Sequence, residues 1–230
     1  MRIPTARPAR IALGLAGGTV VVLVVAQLVL PGVAARIARD QIGKYGTVRS
    51  VSLRAFPAIE LLWGRADSAR VEAGNLRMSV SQFDGLLPRL KGVQRVDMTA
   101  ESLQMGPLRT GRVTITKRGE ELSVRGNLTQ ADLQSALPAG VSAQLVESVG
   151  GGVEVRVSGS LFGVGASLLA LLSAQEGKLV AMPQGFPFAG LARITIFSDP
   201  HLAVQAIGLS SQPSPGGDAG YLLTLRARLL

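Results

Sequence analysis

The sequence predicts a β-rich α+β fold, in which one N-terminal membrane helix precedes a mostly antiparallel sheet with two or three short helices. Three observations indicate this fold: a long uncharged apolar run near the N-terminus, apolar and polar residues that alternate from Thr47 onward, and two short segments with helix-capping signals. Apolar residues make up 47% of the chain and aromatic residues only 4%. The core must therefore be mainly aliphatic, which suits pleated strands.

The apolar run extends from Ile11 to Leu30 and contains no charged side chain. A helix of this length spans roughly 30 Å, the hydrocarbon thickness of a bilayer, whereas a cleavable signal usually has an apolar stretch of about 7 to 15 residues. We therefore interpret residues 11–30 as an uncleaved membrane anchor behind a basic cytoplasmic tail at residues 1–10. A cleavable signal peptide is the alternative, because Val33, Ala34 and Ala35 offer a cleavage site.

The charges beside this run favour an extracytoplasmic domain. Arg2, Arg7 and Arg10 precede the run with no acid among them, and positive flanks tend to stay in the cytoplasm. Arg36 and Arg39, beyond the run, weaken this bias. We expect a single-pass protein of the cell membrane with its C-terminal domain outside the cytoplasm.

Residues 31–46 are interpreted as a juxtamembrane amphipathic segment. Pro31 and Gly32 are expected to end the membrane run, and residues 33–45 then mix apolar and charged side chains in a short amphipathic pattern. Such a segment suits the surface of a bilayer.

Residues 47–230 are predicted to form one β-rich lipid-binding domain. Val51, Leu53 and Ala55 alternate with polar residues, as in a half-buried strand. The same period recurs to the C-terminus, where two alternating segments flank the Pro/Gly-rich residues 212–220 and predict a long terminal hairpin. Residues 64–76 show no clean period.

Two segments depart from the strand period and predict short helices. Ser81 stands three residues before Asp84, and Thr129 three residues before Asp132. A hydroxyl residue at this distance from an acid is typical of an N-capped helix. A leucine-proline pair follows in each segment and predicts the end of the helix.

The net charge of +9 lies in the first half of the chain. Residues 1–125 carry 19 Lys plus Arg against 9 acids, and residues 126–230 carry 5 against 6. A basic surface attracts nucleic-acid phosphate and anionic lipid head groups alike. Because aromatic stacking platforms are few and a membrane segment precedes the domain, the pattern favours lipid and no nucleic-acid partner is expected.

The sequence offers little for catalysis. It has no cysteine and one histidine, His201, which stands near Asp199 in a predicted turn. Two ligands without further His or Cys make a poor metal site, and no phosphate-binding loop stands between a strand and a helix. We expect no enzyme activity, no catalytic residue, no metal site and no cofactor.

The last third of the chain contains an apolar stretch that could hold acyl chains. A lipid-binding sheet needs apolar side chains beyond those of its core, with a polar or basic rim. We predict a lipid-facing wall of Leu161, Phe162, Val164, Leu168, Leu169, Leu171 and Leu172. The alternative is that these residues fill a core, as apolar runs of buried strands often do.

Three arginines of the basic half are the candidates for the phosphate head group. Arg54, Arg65 and Arg70 could clamp phosphate through paired N–H donors. The alternative for each of them is a solvated strand face.

Several motifs, taken in order, resemble the LmeA-like phospholipid-binding proteins of actinobacteria. They are the apolar helix, Phe56-Pro57, Trp63-Gly64, Ser81 to Pro88, Leu128 to Leu133, Lys178 to Pro183 and Phe186-Pro187-Phe188. The resemblance covers residues 45–230. It implies an exported, membrane-associated domain with a curved sheet, similar to sheet-around-helix lipid carriers. It further implies phospholipid binding, support in mycobacteria for elongation of mannose-bearing envelope lipids, and no enzymatic residues.

The sequence thus predicts a membrane-tethered, extracytoplasmic phospholipid-binding protein that supports envelope lipid or lipoglycan assembly. Its expected partners are phospholipid and the membrane. The alternative is a membrane-anchored scaffold whose sheet edge or basic face binds another envelope protein without lipid.

Overall fold

The computed structural model describes residues 26–161, 164–185, 193–213 and 219–230. The strands in this part of the chain are β1 (Gly46–Arg54), β2 (Ala66–Met78), β3 (Val93–Met105), β4 (Leu108–Thr110), β5 (Val113–Arg118), β6 (Glu121–Thr129), β7 (Val141–Val149), β8 (Gly152–Leu161), β9 (Val164–Gln175), β10 (Lys178–Gln184), β11 (Ile194–Phe197), β12 (Leu202–Pro213) and β13 (Ala219–Leu229). The helices are α1 (26–43), α2 (Val80–Asp84), α3 (Leu87–Lys91) and α4 (Gln130–Ser135), with a short 3-10 helix at Ala58–Trp63.

The strands divide between two sheets. Sheet A has the order β1-β2-β3-β5-β6-β13-β12, with β4 paired to β3, and sheet B has the order β11-β10-β9-β8-β7. The β2–β3 pair is parallel, and the other described pairs are antiparallel. The β-rich α+β class is confirmed, but the expected single sheet is wrong, because among the described residues β7 to β11 pair with one another and not with the strands of sheet A.

The predicted terminal hairpin is present. Strands β12 and β13 pair from Leu202 opposite Leu229 to Pro213 opposite Ala219. Strand β13 then pairs with β6, so the C-terminal strand lies inside sheet A. The chain thus leaves sheet A after β6, builds sheet B and returns to finish sheet A.

Most of residues 64–76, which showed no clean period, belong to β2. Burial along this strand does alternate, since Ala69, Val71 and Ala73 are buried while Arg70 and Glu72 are exposed. Two of the three inward residues are alanines, so the apolar signal was weak. The alternation of a strand is therefore present in β2, but small inward side chains make it hard to recognise in the sequence.

Helix α1 continues through Pro31 and Gly32 to residue 43, so the helix extends beyond the end of the uncharged apolar run. A proline in a helix removes the hydrogen bond that its own N–H would donate. Near the C-terminal end of α1, Ile42 packs on the cluster formed by Ala73, Leu76 and Ala100.

The membrane segment predicted at residues 11–30 lies largely outside the described residues. In the part of the chain that is described, no helix is both long and apolar enough to cross a membrane. The anchor therefore stays a prediction.

Of the two predicted helix caps, one is confirmed and one is wrong. Thr129 caps α4 as expected: its side chain accepts from the Asp132 amide, and the Asp132 carboxylate accepts from the Thr129 amide, which is a capping box. The cap of α2 is Ser79, paired with Gln82, so the prediction of Ser81 with Asp84 is wrong. Pro88 stands in the first turn of α3 and does not end a helix there.

Candidate functional site

Sheet A carries one apolar face, called here the inner face. Residues that lie opposite one another in a ladder point to the same side of the sheet, and the pairs Met98–Ile115, Ile115–Val124 and Val124–Leu225 trace this face across four strands. Its buried members include Val71, Val96, Val113, Leu122 and Ile207. The inner face is therefore an apolar surface that extends across these four strands.

The core covers the inner face in three separate clusters. Helices α2 and α3 cover one region, where Leu87 packs on Leu122 and Leu202. Sheet B covers another, where Val153 and Val155 meet Ile207. The third cluster, formed by Ala73, Leu76 and Ala100, lies where Ile42 of α1 packs on sheet A. Several inner-face residues stay only half-buried, namely Val51, Leu53, Met98, Ile115, Val124, Leu223 and Leu225.

The outer face of sheet A is polar and charged. Arg118 donates to Asp97 at 2.8 Å, and the Ser50 hydroxyl donates to Glu72 at 3.1 Å. Exposed pairs of this kind each contribute only about 0–1 kcal/mol to stability. Sheet A thus separates an apolar side from a charged side.

Two of the three arginines predicted for the head group share this outer face. Arg54 lies opposite Ser68, and Arg70 lies opposite Ser52, so the two are diagonal neighbours on β1 and β2. Arg65 lies just before β2, and its amide donates to the Glu60 carbonyl at 3.1 Å. All three are exposed. The structure brings Arg54 and Arg70 together, on the side of the sheet opposite to the inner face.

The predicted acyl-chain wall is split between the two faces of sheet B. Leu168 and Leu172 lie opposite Val157 and Val153 and share their face. Leu172 packs into the core there, whereas Leu168 is 42% exposed. Leu169 and Leu171 lie on the other face and are half-buried. Phe162 and the side chains of Leu161 and Val164 lie outside the described part of the chain.

A shallow depression of about 430 Å³ lies on sheet B, and Leu168 is not part of its lining. Three serines, Ser142, Ser158 and Ser167, face one another across β7, β8 and β9 in this depression. Glycines and an alanine complete its lining. The depression offers hydroxyl groups and space, but little apolar surface.

A smaller cleft of about 180 Å³ lies at the α3 end of the inner face and contains Lys91, Lys117 and Glu120. The side chain of Lys117 is only 2% exposed, and its Nζ donates to the Val93 carbonyl. Burial lowers the pKa of Lys117, and the nearby Glu120 carboxylate opposes this shift. This lysine is not among the site residues predicted from the sequence, although the alternation of Val113, Ile115 and Lys117 assigns it to the apolar face.

Asp199 and His201 form the turn that precedes β12. The Asp199 carboxylate accepts from the His201 amide at 2.7 Å, and the Leu202 amide donates to the Asp199 carbonyl at 3.4 Å. An Asp side chain that binds backbone two residues on is a common turn device. Across residues 26–161, 164–185, 193–213 and 219–230, no three His, Asp or Glu side chains are placed to hold a metal ion.

Comparison with known proteins gave one match. The family model described as LmeA-like phospholipid-binding matches residues 21–221. No curated protein and no solved structure matches the chain.

Proposed function

Because the chain belongs to the LmeA-like phospholipid-binding family, as its motifs indicated, we propose that it is a membrane-tethered extracytoplasmic protein that binds phospholipid and supports envelope lipid or lipoglycan assembly. One observation supports this most: apolar residues of the inner face stay only half-buried on five strands of sheet A, although Met98, Ile115, Val124, Leu223 and Leu225 also pack against the core clusters. A surface of this kind can accept acyl chains.

The free energies of acyl-chain burial and of arginine–phosphate pairing indicate that the apolar face would supply most of the lipid affinity. Each methylene moved from water to an apolar surface contributes about 0.8 kcal/mol, so ten methylenes contribute about 8 kcal/mol before the costs of association. An exposed arginine–phosphate pair contributes about 0–1 kcal/mol. Arg54, Arg65 and Arg70 would therefore select an anionic head group beside the β1 edge, with Arg54 and Arg70 on the outer face of sheet A, while the inner face on the other side of the sheet supplies the binding energy.

The proposal is tested by measuring lipid that co-purifies with the protein. Residues 26–230, which keep all of the described part of α1, would be exported from a bacterial host, purified without detergent and examined by native mass spectrometry and lipid extraction. We expect near-stoichiometric phospholipid. A folded protein without lipid would contradict the proposal.

A matched pair of variants places the lipid on the inner face. Met98→Gln keeps the side-chain volume but puts an amide on the inner face, and we expect it to retain several-fold less lipid. Thr99→Gln introduces the same group one residue along β3 on the exposed outer face. It should retain wild-type amounts. Equal retention by the two variants would move the lipid site away from the inner face.

A scaffold function is the second candidate, and the edge of sheet B favours it. Strand β11 is an edge strand whose Ile194 and Ile196 are both exposed. Exposed apolar edge strands are sites where another protein can add a strand. Co-purification of a stoichiometric protein partner without lipid, lost on Ile196→Lys, would favour this function over lipid binding.

A further inference from the structure

Two apolar segments that are distant in sequence meet at one end of sheet A. The Gln27 side chain, near the start of the described part of α1, donates to the Ala55 carbonyl at 3.3 Å and accepts from the Ala58 amide at 2.8 Å. These hydrogen bonds bracket Phe56 and Pro57. They hold residues 26–29 beside the loop and the 3-10 helix that follow β1.

The side chains at this junction are apolar and highly exposed. Exposed fractions reach 80% for Phe56, 76% for Leu28, 68% for Trp63 and 66% for Leu62. Val29 and Ile59 beside them are exposed as well. We call these six residues the apolar tip.

The shape of the tip is fixed by contacts behind it. Residues three apart lie on the same face of a 3-10 helix, so the buried Ala58 and the half-buried Leu61 face inward and Ile59 and Leu62 face outward. The Asp67 carboxylate accepts from the Phe56 amide at 2.8 Å. The large apolar side chains therefore stand on a supported surface and face the solvent, which for a contiguous patch indicates an interaction site.

The chain upstream of α1 identifies the occupant. The uncharged apolar run at residues 11–30 ends within the first residues of α1, beside the tip. Because the run ends beside the tip, the medium that surrounds the run must also contact the tip. Arg54 and Arg65 flank Phe56 and Trp63 in sequence, and aromatic residues with basic neighbours are typical of the lipid head-group region.

We propose that the apolar tip inserts into the head-group region of the bilayer that holds the N-terminal run, so that the end of β1 rests on the membrane. The inference depends on the proposed membrane tether but not on any lipid stored on the inner face. It sets the orientation of the domain, with Arg54 and Arg65 at the anionic surface. The β1 edge of the inner face then lies at the bilayer, where an acyl chain would enter.

Trp63 reports on this position directly, because it is the only tryptophan of the chain. The full chain would be reconstituted into vesicles of phosphatidylcholine and phosphatidylglycerol that carry bromine on acyl carbons close to the glycerol. Bromine quenches the fluorescence of a tryptophan at its own depth, and iodide quenches one in water. We expect strong quenching by the brominated lipid and weak quenching by iodide.

A relocated tryptophan supplies the control. In the double variant Trp63→Phe, Ile196→Trp, the tryptophan stands on the exposed edge of sheet B. Its iodide quenching should exceed that of Trp63 several-fold, and the brominated lipid should have little effect. In Phe56→Glu, Leu62→Glu, Trp63 should become accessible to iodide while the anchor still holds the protein on the vesicle.

Two results would overturn the inference. Strong iodide quenching of wild-type Trp63 would place the tip in water. Shielding from iodide without quenching by brominated lipid would mean that a second copy or another protein covers the tip. Failure of the lipid-binding part of the proposed function is distinguishable, because it removes co-purifying phospholipid from residues 26–230 and leaves the quenching of Trp63 in the tethered full chain unchanged.

Discussion

Lys117 places a positive charge inside an apolar face, and its titration should appear in the stability of the domain. Its Nζ donates to the Val93 carbonyl, and its neighbours in the ladders are Val96 and Leu122. Burial lowers the pKa of Lys117 because the charged form loses its hydration, while Glu120 partly opposes the shift. The folded state therefore holds the proton of Lys117 less tightly than the unfolded state does.

We predict that Lys117→Met raises the free energy of unfolding at pH 7 by about 1 kcal/mol, because the lost bond to Val93 is smaller than the cost of burying the charge. Between the lowered pKa and the ordinary lysine value of about 10.4, the unfolded state binds more protons, so wild-type stability rises with pH. The advantage of the variant should shrink across that window. Urea unfolding of residues 26–230 at several pH values measures it.

The control for this prediction is Lys178→Met, which removes an exposed lysine at the start of β10. Its free energy of unfolding at pH 7 should differ from that of wild type by less than about 0.5 kcal/mol. If the Lys117→Met and wild-type stabilities run parallel across the pH window, the buried charge has no energetic consequence and the account of Lys117 is wrong.

Among the elements, α2 offers the sharpest test of local structure, because two nearby serines have different roles. Ser79 accepts from the Gln82 amide at 3.2 Å, and the Gln82 side chain accepts from the Ser79 amide at 2.8 Å. We predict that Ser79→Ala lowers the free energy of unfolding by about 1 kcal/mol. Ser81→Ala should change it by less than about 0.5 kcal/mol, since Ser81 lies inside the helix and Ala is a good helix former. A larger loss for Ser81→Ala would restore the cap predicted from sequence.

Local sequence signals predicted individual helices and strands better than they predicted which elements would pack or pair with one another. The Thr129–Asp132 box and the hairpin of β12 and β13 were foreseeable, because a cap and a turn depend on residues close in the chain. Strand β2 was missed because alanines weaken its apolar period. The sequence period also did not reveal that Ser79 rather than Ser81 caps α2, because both serines stand three residues before plausible partners.

The candidate site was less predictable, because exposure is a property of the folded chain. The alternation of side chains along β9 assigns Leu168 and Leu172 to one face. Packing alone decides that Leu172 is in the core and that Leu168 is exposed. Phe56 and Trp63 were visible as motif residues. Their exposure follows from the packing of the segment after β1, where Ala58 and Leu61 face inward, and no local pattern contains this.

At the scale of the whole molecule, β12 joins the two sheets. It is the edge strand of sheet A, and it contacts β7, β8, β9 and β10 of sheet B. Ile207 on β12 is buried with Ala143, Val153 and Val155 of sheet B. Because alternation encodes which side of a strand is apolar but not which sheet will cover it, the second sheet could not be inferred from the sequence.

This shared core predicts that the two sheets unfold together. Ile207→Ala leaves a cavity between them, and we expect it to lower the free energy of unfolding by about 2–4 kcal/mol. Ile196→Ala, which truncates an exposed isoleucine of β11, should cost less than about 0.5 kcal/mol. Urea unfolding of residues 26–230 followed by Trp63 fluorescence reports on sheet A, and far-UV circular dichroism reports on all strands. In Ile207→Ala both midpoints should fall by the same amount; if only the circular dichroism shifts, sheet B is an independent unit and β12 does not join the two.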